Sequence, residues 1–215
     1  MIAVLASRLD PEAQAVVAEW SAAEAALLSA EDLGSAGWAY SPGDPGSGTA
    51  VVDGRRIRVA DLTAVLTRRP AVLAEELHRI DPTDRVYVAA EMNAFLVAWL
   101  SALPCPVVNR ATPTSLCGPA WDKWQWQTTC ARLGIDWVDH DENGATHEVV
   151  VCGERCLFTV DTDEAAKAKR LSQAAATELL GVRFAEGKVC GVTVAPALAD
   201  AEMRACLLAR LKQRP

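Results

Sequence analysis

The sequence predicts an α/β fold, with a parallel sheet in its first part and a small, mostly antiparallel α+β layer after residue 147. Three observations carry that expectation. The chain opens with an unbroken apolar run, Ile2 to Ala6, followed by Asp10-Pro11-Glu12: a capping acid, a proline at the first helical position and an acidic first turn. Strand, tight turn and helix in that order form the opening unit of a parallel sheet. From His147 onwards the pattern becomes hairpin, helix, hairpin, helix. The 215 residues, 51% hydrophobic and 23% charged, suffice for one large domain or two small ones, each with a buried core.

The first helix is expected to run from Asp10 to about Ser21. Ala25 to Leu28 reads as a second strand or as continued helix, because alanine suits both. Gly34 to Gly54 is loop, rich in turn formers between Ser41 and Gly48. Val51 to Val59 then gives two short strands about an Asp53-Gly54 turn. Ala64 to Thr67 is a short strand ending in Arg68-Arg69-Pro70. Two arginines there stand either where α/β sheets bind ligands or as a solvated pair ahead of a proline. Ala71 to Ile80 reads as a short helix. Asp84 to Leu103 reads as a long one, apolar on nearly every side and so buried between layers. Its one internal acid, Glu91, must be exposed, paired or protonated, and a pairing with Arg68 or Arg69 is expected.

A short apolar run, Pro106 to Val108, stops at Asn109-Arg110, and prolines with a glycine hold the backbone out of helix as far as Pro119. Trp121 to Leu133 can then wind continuously. Asp122 and Lys123 fall at the front of that helix, either as an anion site or as an ordinary capped surface helix. The polar stretch Asp136 to Ala145 is the expected boundary between residues 1–136 and 147–215. Beyond it, His147 to Cys152 and Cys156 to Val160 flank Gly153-Glu154-Arg155. Thr162-Asp163 caps an alanine-rich helix expected to reach Leu180 and end at Gly181. Val182 to Ala185 and Val189 to Val194 flank Glu186-Gly187-Lys188, and Asp200 to Lys212 is the last helix.

A net charge of −7 argues against nucleic acid and anionic membrane as partners. Seven cysteines, an odd number scattered through apolar segments, favour free thiols and a cytoplasmic setting, and no basic leader precedes the first apolar run. Cys152 and Cys156 with His147 and His140 could be drawn as a metal site. The cysteines nevertheless flank a hairpin turn without a second pair, so no metal is expected. Trp121, Trp124 and Trp126 lie close together, with Trp137 just after. At helical spacing Trp121 and Trp124 share a face that Trp126 does not, so at least one must meet solvent or a partner.

The order of these landmarks resembles the ATP-grasp ligases, in particular the glutathione-synthetase-like branch that includes peptide glutamate ligases and macrocyclases. The resemblance rests on the βα opening ending at Asp10, the Gly54-Arg55-Arg56 hairpin and the Thr67-Arg68-Arg69 strand end. It continues through a helix bearing Glu91, Val108-Asn109, and Lys123 ahead of a helix ending Leu133-Gly134-Ile135. It implies a pre-ATP-grasp-like domain followed by a reduced ATP-grasp domain, with Lys123, Arg68 and Arg69 as nucleotide contacts.

Two departures shape the functional expectation. Ligases of this kind carry a nucleotide-clamping subdomain after the Leu-Gly-Ile position, whereas here only a loop separates Trp137 from His147. Their metal-binding Glu-Val-Asn-Pro-like run corresponds to Thr193-Val194-Ala195-Pro196, which lacks both ligand side chains. The expectation is a truncated, degenerate ATP-grasp protein without catalytic residues, bound metal or ATP. It would serve as a binding or assembly subunit for a ligase or precursor peptide, as a homodimer or with another protein, through Trp121, Trp124, Trp126 and Trp137. The alternative is a minimal ATP-dependent carboxylate–amine ligase completed by a partner subunit.

Overall fold

A computed structural model describes residues 1–139 and 146–213. The chain separates into two compact units, residues 1–117 together with those from Leu208 on, and residues 118–207.

In the first unit, β1 (Ile2–Leu5), α1 (Pro11–Glu19) and β2 (Ala25–Leu28) form the expected opening. The Asp10 carboxylate accepts from the N–H groups of Glu12 and Ala13, which closes the start of α1. After the short α2 (Ala30–Leu33) come β3 (Thr49–Val52), β4 (Arg55–Arg58) and β5 (Ala64–Thr67). Asp53 and Gly54, at φ of 51° and 69°, make the tight β3–β4 turn that requires positive φ at both positions. The long helix is α3 (Arg85–Ala102), followed by β6 (Val107–Val108). Strands pair in the order β2-β1-β5-β6, all parallel, while β3 and β4 stand as a separate antiparallel ribbon. Leu96, Trp99 and Leu100 of α3 belong to the same buried cluster as Leu5, Leu28 and Val65 of the sheet.

Two expectations change here. Residues 71–80 form only a single 3₁₀ turn, Ala74–Glu76. The Asn93 side-chain amide takes both backbone groups of Val72, accepting its N–H and donating to its carbonyl, so the segment is pinned before a helix can start. Glu91 is exposed on α3 rather than paired with either arginine.

The second unit holds α4 (Lys123–Arg132), β7 (His147–Cys152), β8 (Arg155–Leu157), α5 (Thr162–Ala174), β9 (Leu179–Ala185) and β10 (Lys188–Thr193). The first residues of α6 (Ala201–Leu211) belong to it as well. Its sheet runs β10-β9-β7-β8 and is antiparallel throughout. Trp126, Cys130 and Ile135 bury against Val149, Val151, Leu171, Val182 and Phe184 in one core. That packing draws α4 into the second unit and sets the division at residue 117, ahead of the boundary near 136–146 that the sequence suggests. Most of that loop, residues 140–145, lies outside the described residues.

The α5 ending also differs from expectation. Gly181 sits inside β9, and the helix stops at Ala174, with Ala176 taking the left-handed conformation (φ 50°) usually left to glycine. The N-cap is Asp161, whose carboxylate accepts from Asp163 and Glu164 N–H, one residue ahead of the expected pair.

Candidate functional site

The chain runs from β1 to β2 on one side of the parallel sheet and to β5 and β6 on the other, so the carboxyl ends of β1 and β5 flank the point where such folds bind ligands. Arg68 and Arg69 leave β5 there, and both side chains turn inward. Arg68 donates from Nε to Asp10 Oδ2 at 3.2 Å and from Nη2 to Glu12 Oε2 at 2.7 Å, with only 8% of its side chain exposed. Arg69 pairs through Nη2 with the Glu76 carboxylate and donates from Nε to the Ala71 carbonyl at 2.8 Å. Burial pulls the Glu76 carboxyl upward, but Arg69, the Leu73 N–H and Ser7 outweigh it, leaving Glu76 below the usual carboxylate range. The acids that neutralise these arginines are therefore the chain's own.

The second candidate is the front of α4. Asp122 is the N-cap and accepts from Gln125 N–H at 2.8 Å, while the Gln125 side chain accepts from Asp122 N–H at 2.9 Å, a reciprocal capping box. Trp121 precedes the cap and stacks edge-on against Trp126, four positions inside the helix, with ring centroids 4.7 Å apart. That is a hydrophobic staple, and it pairs Trp121 with Trp126 rather than with Trp124 as helical spacing predicts. Trp126 enters the core at 4% exposure, Trp121 and Trp137 pack partly against it, and Trp124 is 74% exposed. Lys123, the first helical residue, places Nζ 2.9 Å from Asp139 Oδ1. Asp139 also accepts from Trp137 Nε1 at 3.1 Å and Gln127 Nε2 at 3.2 Å. Lys123 above all, then Trp137, holds its carboxyl below the usual range.

A third cluster lies on β7, β9 and β10, on strand positions alternate to those that enter the α4–α5 core. Glu148 stands opposite Arg183, and Arg183 opposite Gly191; the next row pairs Val150 with Gly181 and Gly181 with Thr193. The Glu148 carboxylate fills the space over Gly181, reaching 2.5 Å from where a Cβ would sit, and the Arg183 guanidinium covers Gly191 at 2.7 to 3.0 Å. Burial raises the Glu148 carboxyl against the opposing pull of Arg183. The Thr193 hydroxyl accepts from Ala195 N–H at 3.2 Å. Sequence reading missed Glu148 and Arg183, although a charged residue inside each of two otherwise apolar strands was the available signal.

The cysteine and histidine cluster takes another form. His147 Nε2 lies 2.7 Å from Glu164 Oε2, and its ring stacks on Phe184 at 6.0 Å. Among the described residues no three His, Cys, Asp or Glu side chains converge as metal ligands, and His140 lies outside those residues. Burial pushes the Cys130 thiol up to about 11 and also raises Cys105, Cys117, Cys156 and Cys190, consistent with small apolar packing groups.

No protein-family model matches the chain, and no curated protein matches it. Solved structures do. The ATP-grasp ligase PsnB complexed with minimal precursor, Mg and ADP superposes with a TM-score of 0.69 at 13% identity, over 99% of this chain and 98% of that one. The fold is that of the ATP-grasp ligases. The macrocyclase MdnC bound with precursor peptide MdnA from Microcystis aeruginosa MRC gives a TM-score of 0.69 at 9% identity, covering 97% and 99% of the two chains. The RimK domain ATP-grasp protein from Sphaerobacter thermophilus DSM 20745 gives 0.54 at 18% identity, with 98% of each covered. The resemblance sets Thr193–Pro196 where ATP-grasp ligases hold Mg²⁺–nucleotide, and those residues fit that group poorly. Thr193 offers one hydroxyl already engaged by Ala195, Ala195 offers none, and a guanidinium lies over neighbouring Gly191, where a divalent cation would be repelled.

Proposed function

We propose that this chain is a non-catalytic ATP-grasp-like protein that acts as a binding or assembly subunit, with a peptide or a peptide-modifying protein as its partner. The observation that carries the reading is the β7–β9–β10 face, where Arg183 and Glu148 occupy the space over two strand glycines; Thr193-Val194-Ala195, which the resemblance matches to the family's Glu-Val-Asn run, carries neither ligand side chain. Transfer of a phosphoryl group to a carboxylate depends on positioning and on cations that neutralise developing charge, so losing the acids that hold those cations removes the main source of rate. The short connection between Ile135 and β7 supports the same reading, because it leaves room for a loop and not for a clamping subdomain. Arg68, Arg69 and Lys123, the nucleotide contacts the resemblance implies, are already paired with Asp10, Glu12, Glu76 and Asp139. PsnB and MdnC were solved with precursor peptides, and a retained peptide-binding role follows if this chain kept that surface while losing its chemistry. Trp124 is the anchor placed to meet a partner, a large aromatic left 74% exposed on a well-capped helix.

The test is ADP release with ATP, Mg²⁺ and an acidic peptide. The purified chain should give no turnover above buffer, and steady turnover would overturn the proposal. The ligase alternative is favoured by one observation, the solvent exposure of Lys123 at the first position of α4. On that alternative, Lys123→Ala would abolish turnover in a system reconstituted with the missing subunit.

A further inference from the structure

Strand β4 carries three arginines in four residues, Arg55, Arg56 and Arg58, all exposed, in a chain whose net charge is −7. Among the described residues it pairs with β3 alone. The two-residue turn fixes which backbone groups are used. Val52 and Arg55 close the hairpin, so Arg55 and Ile57 bond inward to β3, and Arg56 and Arg58 direct their N–H and carbonyl groups outward. The flanking bonds have the same parity: Val59 N–H donates inward to Gly48, while on the far side of β3 Thr49 exchanges bonds with Ala39.

The arginines are also positioned. The Arg56 stem packs over Gly37, where an added Cβ would lie 3.2 Å from its Cδ and from Val51 Cγ2, so the glycine makes room for that side chain beside its β3 partner. At Arg58 a carboxylate already occupies the edge. Asp61 accepts from Arg58 Nη2 at 2.6 Å and Nε at 3.0 Å. The bidentate pair shows that the Arg58 guanidinium is presented in a geometry that takes a carboxylate.

We propose that the outer edge of β4 is a docking site for an acidic peptide in extended conformation, which adds as a further strand and places alternate carboxylates against Arg56 and Arg58. Strand addition supplies main-chain hydrogen bonds, and the arginine forks supply selectivity for carboxylate side chains. The site uses neither α4 nor the β7–β9–β10 face, so it stands or falls separately from the function proposed above. Asp61 competes with the incoming peptide at Arg58.

The experiment uses the full chain and a fluorescein-labelled peptide alternating glutamate and valine, followed by anisotropy at low salt. Arg56→Glu should weaken binding about tenfold or more, because it replaces a charge-assisted pair by repulsion. Asp61→Ala should tighten binding by releasing Arg58. The Arg56 amide should gain protection from hydrogen exchange when peptide is added, and a backbone N-methylated peptide of the same charge should bind more weakly. Circular dichroism confirms that the variants fold, and Arg56→Gln replaces Arg56→Glu if the latter does not. No binding, no response to Arg56 substitution, or equal binding of the N-methylated peptide would overturn the proposal.

Discussion

At the scale of single residues, the chain separates groups that stabilise from groups that face outward. Trp126 and Trp124 are two positions apart, yet one is 4% exposed and the other 74%. Trp126→Ala removes a core side chain and should cost about 3 to 5 kcal/mol, read from urea denaturation. Trp124→Ala should change stability by no more than about 0.5 kcal/mol, so any loss of partner binding in that variant reports on the interface itself. Glu76 gives a pH signature. Its folded carboxyl lies below the ordinary 4.5, so the stability it adds is fully present above that value. That stability disappears as the pH falls through the lower folded value. The urea midpoints of the parent chain and of Glu76→Gln should differ at neutral pH and draw together below pH 4.5. A constant gap down to strongly acid pH would show that the carboxylate charge is not what Arg69 requires.

At the scale of elements, the parts with strong local chemistry were legible from sequence and the parts decided by packing were not. Asp10-Pro11 marked α1, and Asp53-Gly54 marked the β3–β4 turn. The end of α5 was misplaced because Gly181 looked like a terminator, whereas Leu179 and Leu180 are taken up by the β9 ladder beside β7 and the chain bends at Ala176 instead. Glycine at 176 should therefore relieve a left-handed alanine, and Ala176→Gly should stabilise the protein by up to about 1 kcal/mol. A lower melting temperature in that variant would show that the turn tolerates alanine without cost. Of the candidate site, the arginine pair and Lys123 could be found by position, but their internal partners could not. Asp10, Glu12, Glu76 and Asp139 lie at sequence distances from 7 to 58 residues, and only the fold joins them. The shared face of Trp121 and Trp124 was misread for a related reason, since Trp121 lies outside the helix whose periodicity was applied to it, while the expectation that one tryptophan meets solvent holds at Trp124.

At the scale of the whole molecule, the fold is that of the ATP-grasp ligases, and the proposed function holds that the groups for metal and nucleotide are replaced or internally satisfied. Each replacement alone would be modest. On the proposed function, together they would turn an anion- and cation-binding surface into one whose charges are matched within the chain, which would favour binding a protein or peptide over activating a carboxylate. Among the described residues no helix is long and apolar enough to cross a membrane. The most direct test of the central claim is isothermal titration calorimetry of the full chain with ATP in the presence of Mg²⁺. Only the heat of dilution is predicted, and saturable binding with a micromolar Kd would contradict the account.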